Sequence, residues 1–287
     1  MANFTAADIR RLRELTAVGM LDTKNALVEA DGDFDKAVEI LRLRTAKEVN
    51  KRQSRTATNG LVAARLDGPA SGVLVEVNCE TDFVAKNERF QDLGTALARQ
   101  VAESDPADVD ALLASTLDGR TVQEQVDEVS AAIGEKLQVR RIAALGGNGR
   151  HVFLYLHRTD PDLPPQIGVL VELDADEAEL GKEIAQNVAA MSPRFLSRDD
   201  VPAESVETTR REAEQMARDE GKPEQVVPKI VEGRINSFFK DVVLVEQIFA
   251  KDGKKTVKAL LGEKGVNVTG FARFRVGESQ EAADSAS

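Results

Sequence analysis

A chain of 287 residues, 42% hydrophobic and 30% charged with a net charge of −11, has room for two or three globular domains, and its acidity argues against direct nucleic-acid binding. It holds no run of about 18 apolar residues that would span a membrane, and Met1-Ala2-Asn3-Phe4-Thr5-Ala6-Ala7-Asp8 lacks the basic-then-apolar order of a secretory signal. A single cysteine, Cys79, excludes an intramolecular disulfide and fits a cytoplasmic protein in a reducing compartment.

The spacing predicts three helices within residues 1–50. Thr5 is placed to cap the first, with Asp8 favouring its positive end, and Ile9, Leu12 and Leu15 share a face. Val18-Gly19 interrupts the pattern. Asp22 is expected to cap the second helix, which carries Ala26 and Leu27. Asp31-Gly32-Asp33 reads as a turn, because it lacks the later ligand positions of a calcium loop. Phe34, Ala37, Val38 and Leu41 then supply the inner face of the third helix. Residues 1–55 carry a net charge of +2 against −13 for the rest, mostly through Arg42, Arg44, Lys47, Lys51, Arg52 and Arg55. That block reads either as a solvated helix face leading into a polar linker over 51–59, or as a contact to an acidic partner or RNA.

Two strands, Gly60–Leu66 and Gly72–Cys79, flank an Asp67-Gly68-Pro69 turn and suggest a hairpin. The second runs into Thr81-Asp82-Phe83-Val84, directly before a predicted helix. Phe83 there is either a core ring under that helix or an exposed probe, and Met20, between the first two helices, is either a staple or an anchor. Phe90, Leu93, Leu97 and Val101 mark a helix over Phe90–Glu103. A further helix is expected over Val122–Leu137 and a strand over Val139–Leu145.

A similar block comes next. His151–His157 and Gln166–Leu173 read as strands around a Pro-rich loop, and Glu177–Met191 as a helix with Ile184, Val188 and Met191 inward. Gly72-Val73-Leu74-Val75-Glu76-Val77 echoes Gly168-Val169-Leu170-Val171-Glu172-Leu173, so the core reads as two related α+β subdomains with antiparallel sheets. Residues 203–240 predict an inserted antiparallel helical hairpin, a short coiled coil reversing at Gly221-Lys222-Pro223. Its seam would use Val206, Ala213 and Met216 against Val227, Val231, Ile235 and Phe238. A helix over Val257–Leu261, a strand over Val266–Val276 and a polar, acidic tail over Glu278–Ser287 complete the chain. The expected fold is α+β and multidomain, divided as 1–55, 56–145 and 146–287.

No catalytic constellation is present. There is no phosphate-cradling glycine loop with a lysine and no zinc-ligand cluster, so no cofactor or metal is expected. His151 and His157 lie six residues apart on one strand, about 20 Å by strand rise, too far to share an ion. Glu80 and Asp82 would raise rather than lower the pKa of Cys79, which disfavours a thiol nucleophile. The absence of reactive groups shifts weight from enzyme to binding protein.

Four segments carry a family resemblance. They are Leu12-Arg13-Glu14-Leu15-Thr16-Ala17-Val18-Gly19-Met20-Leu21-Asp22-Thr23-Lys24-Asn25-Ala26-Leu27, then Asn78-Cys79-Glu80-Thr81-Asp82-Phe83-Val84-Ala85-Lys86-Asn87, then Ile230-Val231-Glu232-Gly233-Arg234 with Phe238-Phe239, and finally Phe271-Ala272-Arg273-Phe274-Arg275-Val276-Gly277-Glu278. In this order they resemble the signatures of bacterial elongation factor Ts. The resemblance implies a ubiquitin-associated-like N-terminal module and a guanine-nucleotide exchange factor for elongation factor Tu, met in its GDP-bound and nucleotide-free states. It implies that Thr81, Asp82, Phe83 and Val84 intrude near the partner's magnesium and phosphate site. It also implies that Met20, Leu21 and Lys24 grip the partner's nucleotide-binding domain. Position 21 is Leu where the family often has a second Met. The Arg158–Pro165 loop is longer than the turn expected there, so His157 is not assigned as a contact. The polar tail offers no apolar face for the extra C-terminal helix of some members. An adaptor that uses only the three-helix module is the alternative from another class.

Overall fold

The N-terminal helix opens on a reciprocal cap. In this computed structural model, which describes residues 3–16, 18–147 and 149–278 with the side chain of Asn50 left aside, the Thr5 N–H and hydroxyl each donate to the Asp8 carboxylate at 2.7 Å, and the Asp8 N–H donates back to the Thr5 hydroxyl. The hydrogen bond from the Thr5 hydroxyl, above all, holds the Asp8 carboxyl below its ordinary pKa. Helix α1 (Ala6–Thr16) comes first, then α2 (Met20–Glu29) and α3 (Phe34–Arg52). Leu12, Ala26, Leu27, Ala30, Ala37 and Leu41 form their shared core.

Asp22 does not cap α2 as expected. The helix begins at Met20 with Gly19 as its cap, so Asp22 lies inside the first turn and makes no capping bond. A carboxylate there still favours the positive helix end. The turn at Asp31-Gly32 uses two left-handed residues, and Asp33 caps α3 by accepting from the Lys36 N–H.

The chain divides into two compact units, one drawn from residues 1–63, 75–142 and 158–166, the other from 64–74, 143–157 and 167–287. After the three helices come β1 (Asn59–Leu66), β2 (Ser71–Cys79), α4 (Asp82–Ala85), α5 (Glu88–Ser104), α6 (Val109–Ala114), β3 (Thr116–Leu117), β4 (Arg120–Thr121), α7 (Val122–Ile133) and β5 (Gln138–Gly146). The sheet order is β1-β2-β5, which puts β2 in the middle. The connection between β1 and β2 is too short for a parallel crossover, so the pair is an antiparallel hairpin. Phe90, Leu93, Leu97 and Val101 of α5 are all buried, as their spacing requires.

The helix expected over Val122–Leu137 stops at Ile133. Gly134 takes a left-handed conformation (φ 89°) and donates to the Ser130 carbonyl, a C-terminal glycine stop that frees residues 135–137 from the helix. Helix α6 and the β3–β4 hairpin are additions to the elements expected from sequence.

The second unit is built on β6 (His151–His157), β7 (Ile167–Leu173) and, at the far end of the chain, β8 (Val268–Arg275), in the antiparallel order β6-β7-β8. Helices α8 (Ala178–Met191) and α11 (Val257–Lys264) pack on this sheet through Leu180, Ile184, Val188, Val257 and Leu261. Met191, expected inward, is exposed, because it is the last residue of α8 before the left-handed Ser192. The echoing segments occupy matching places: β2 and β7 are each the middle strand of three. Glu76 pairs with Arg141 and Glu172 with Arg150.

Helices α9 (Ala203–Asp219) and α10 (Val227–Val242) form the expected antiparallel hairpin, with Pro228 confined to the first turn of α10. Its seam differs at Met216 and, near the base, at Phe238. Ala213 and Ala217 pack against Val227 and Val231, while Met216 is exposed. Small residues let the two helices approach closely, which a Met at that position would prevent. Near the base, Phe239 is the buried ring and Phe238 only partly so. No helix among the described residues is long and apolar enough to cross a membrane. The acidic tail expected over 278–287 lies, from residue 279 onward, outside the described residues, as does Ala17 of the first signature.

Candidate functional site

Strand β2 is buried from Gly72 to its last residue, Cys79, with Glu76 and Asn78 as polar side chains inside it. Asn78 donates to the Asn59 carbonyl and the Glu76 carboxylate, and Asn59 donates to the Glu80 carbonyl at 2.8 Å, closing the strand end. Thr81 is extended and caps the four-residue helix α4, its hydroxyl accepting from the Val84 N–H. Asn87 then caps α5 by accepting from the Arg89 N–H.

The turn sorts its side chains by direction. Val84 and Ala85 are buried, whereas Phe83 is 80% exposed and Asp82 keeps half of its side chain in solvent. Of the four residues singled out from sequence, Asp82 and Phe83 therefore face outward, Thr81 shapes the turn, and Val84 anchors it. Phe83 is no core residue. The Lys86 ammonium lies 3.5 Å from the Asp82 carboxylate one helical turn away, an exposed pair that contributes little to stability.

The surrounding groups brace this turn. The Glu135 carboxylate accepts from the N–H groups of Glu80 and Thr81 and from the Thr81 hydroxyl. The Glu80 carboxylate accepts from the Lys136 N–H at 2.6 Å and from Arg55 at 3.2 Å. Burial pushes the Glu80 carboxyl up, but the Lys136 N–H and Arg55 together outweigh it and hold the carboxyl below its ordinary pKa. Lys136 also donates to the carbonyls of Gln53 and Arg55. Glu135 and Lys136 do not stand out from sequence, since nothing local relates them to residues some 55 positions away.

Cys79 is fully buried, and its thiol donates to the Thr81 carbonyl. Burial first, and the nearby Glu135 charge second, push its pKa up to about 12. The thiolate is the nucleophile, so the native protein at neutral pH is expected to resist thiol-modifying reagents and to react stoichiometrically once unfolded. Rapid labelling of native protein in a colorimetric thiol assay would contradict this.

On α2, Met20 (55% exposed) and Leu21 (69%) lie at the first turn, with Lys24 and Val28 also outward. The opposite face, Thr23, Ala26 and Leu27, is buried. Met20 is thus no staple, and α2 presents an apolar strip with a cation beside it. Exposed large apolar side chains grouped in this way are what interface anchors look like.

The basic block at the end of α3 is largely used internally. Arg44 pairs with Glu29, Lys51 with Glu48 and Arg55 with Glu80, while Arg52 donates to the Ser130 carbonyl. Arg52 and Arg55 tie the end of α3 to α7 and to the strand end. His151 and His157 sit at opposite ends of β6, opposite Leu173 and Ile167, and cannot converge on an ion. Among the described residues no group of three or more His, Cys, Asp or Glu side chains is arranged to hold a metal.

Comparison with known proteins accounts for the signatures. The family model described as "Elongation factor TS" matches residues 80–278. The elongation factor Ts of Thermobifida fusca is 56% identical over 280 residues, covering 97% of this chain and 100% of that protein. That of Acidothermus cellulolyticus is 59% identical over 278 residues, and that of Mycobacterium tuberculosis (strain ATCC 25177 / H37Ra) 56% over 279, each again covering 97% of this chain and all of the relative. A strand-end turn with an outward carboxylate and ring, an exposed apolar strip on α2 and near-complete alignment with these relatives agree, and the chain belongs to the elongation factor Ts family.

Proposed function

We propose that the chain is a cytoplasmic guanine-nucleotide exchange factor that binds elongation factor Tu, in its GDP-bound and nucleotide-free states, and promotes GDP release during translation elongation. The observation that carries the mechanism is Phe83, a large ring left 80% exposed on a braced turn beside the half-exposed Asp82. Bound GDP is held by magnesium and by backbone donors around its phosphates. Phe83 inserts between partner elements that support this site, and Asp82 accepts hydrogen bonds there and disturbs magnesium coordination without taking the ion. Thr81 and Val84 hold the turn in shape. Met20, Leu21 and Lys24 dock the three-helix module on the partner's nucleotide-binding domain. The chain works in three parts, 1–55, 56–145 and 146–287, the last holding another domain of the partner. No covalent bond is made or broken by the chain.

The test mixes catalytic amounts of the chain with elongation factor Tu carrying fluorescent GDP, in excess unlabelled nucleotide. Faster loss of fluorescence in proportion to the chain added is expected. An unchanged release rate would refute the proposal.

A further inference from the structure

The turn that carries Asp82 and Phe83 is too short to hold itself. A four-residue helix returns less than the cost of its nucleation, so its shape has to be imposed by groups outside it. One side chain supplies most of that constraint. Glu135 accepts from the Glu80 N–H at 3.1 Å and the Thr81 N–H at 3.0 Å on one carboxylate oxygen, and from the Thr81 hydroxyl at 2.7 Å on the other. By accepting the hydrogen bond of the Thr81 hydroxyl it turns a lone pair of the Thr81 oxygen toward the Val84 N–H, the bond that caps α4. An ionised acceptor makes such bonds about twice as strong as a neutral one. Gly134 makes the approach possible, because its left-handed conformation ends α7 one residue earlier. Lys136 next to it holds the Glu80 carboxylate through its N–H and the carbonyls of residues 53 and 55 through its ammonium.

We propose that Glu135 is the positioning residue of the strand-end turn: it acts through Thr81, setting the orientation of α4 that directs Phe83 and Asp82 outward. The inference rests on the exchange-factor reading for its functional consequence, but its structural half stands without it. Lys136 extends the same brace to the segment that leaves α3, through the carbonyls of Gln53 and Arg55.

The test compares the full-length chain with Glu135→Ala and Glu135→Gln by two readouts. The first is amide hydrogen exchange at residues 80–84 in the chain alone; the second is GDP release from elongation factor Tu at saturating chain. Glu135→Ala is expected to speed exchange at those amides, and to lower the maximal release rate, each by about tenfold or more, the equivalent of one charge-assisted hydrogen bond. The concentration giving half-maximal effect should change by less than about twofold, because the docking strip is untouched. Glu135→Gln keeps one oxygen for the two N–H donors but puts an amide donor where the Thr81 hydroxyl needs an acceptor, so it should restore only part of each loss. Unchanged amide protection at 80–84 in Glu135→Ala would overturn the proposal, as would a full maximal release rate or a loss confined to half-saturation. Should Glu135→Ala fail to fold, Glu135→Asp, which keeps the charge but shortens the reach, takes its place with the same criteria. If the wild-type chain itself does not release GDP, the exchange reading falls, and the amide measurement alone still decides whether Glu135 holds the turn.

Discussion

Phe83→Ala is expected to reduce catalysed GDP release from elongation factor Tu by about 30-fold or more while leaving the chain's own stability almost unchanged. The two halves of this expectation have separate grounds. Burying a phenylalanine side chain is worth about 1.5–3 kcal/mol, and central interface aromatics cost at least about 2 kcal/mol when truncated. A ring that enters the partner only when the phosphate site is disturbed spends that energy on release, so its loss lowers the maximal rate and not merely the affinity. The chain itself loses little, because the ring is 80% exposed and α4 is anchored by Val84 and Ala85 instead. Surface substitutions of this kind stay within about 0.5 kcal/mol. Stopped-flow release and a urea titration on the same preparation check both. A stability loss of several kcal/mol would mean the ring packs inside the protein, and unchanged release would remove it from the mechanism. Asp82→Ala should act in the same direction, since its exposed pair with Lys86 carries little stability.

Gly60→Ala is expected to cost far more stability than a single added methyl usually does, on the order of 3 kcal/mol or more. Gly60 lies in β1 at φ 147°, where an added Cβ would sit 2.0 Å from the Val77 carbonyl oxygen and 2.8 Å from the Asn78 Cα. Both obstacles are backbone atoms of β2, the strand that leads to the probing turn. They cannot swing aside as a side chain can, so the hairpin itself has to open. Gly119→Ala is the control. Gly119 is also left-handed (φ 81°), but nothing lies within 4 Å of its added methyl, which leaves only the backbone strain of about 1–2 kcal/mol. Urea unfolding should therefore show a much lower midpoint for Gly60→Ala than for Gly119→Ala. Equal midpoints would mean that β1 and β2 can separate at Gly60 without loss.

Much of this fold could be read from local pattern. Helix α5 carries four apolar residues at helical spacing and buries all four, and β2 and β7 share an apolar run that ends beside a glutamate. Short elements escaped because they have no room for a period. The β3–β4 hairpin has two residues per strand, and its one signal is Asp118-Gly119, both left-handed, the pair favoured in two-residue hairpin turns. Residue type misled at the helical hairpin. Met216 suits a seam because it is apolar, but the close approach of α9 and α10 selects Ala217, and Met216 faces outward with its sulfur near Arg234. The site was legible as a place and not as a geometry. Asp82 and Phe83 stand out at a strand end, yet a ring there could equally have packed under α5. Its exposure follows from how Thr81 caps α4 and is itself braced by Glu135, a group brought in by the tertiary fold from 54 residues away.

The exchange reading has a thermodynamic requirement that no contact can replace. A protein with equal affinity for the GDP-bound and nucleotide-free partner shifts nothing, however tightly it binds. The decisive measurement is therefore a closed cycle. The affinity of the chain for elongation factor Tu is measured with and without GDP, and the affinity of elongation factor Tu for GDP with and without the chain. The expected result is that GDP weakens the chain's hold by at least about tenfold, and that the chain weakens GDP by the same factor, as linkage demands. Equal affinity of the chain for both nucleotide states would contradict the proposed function.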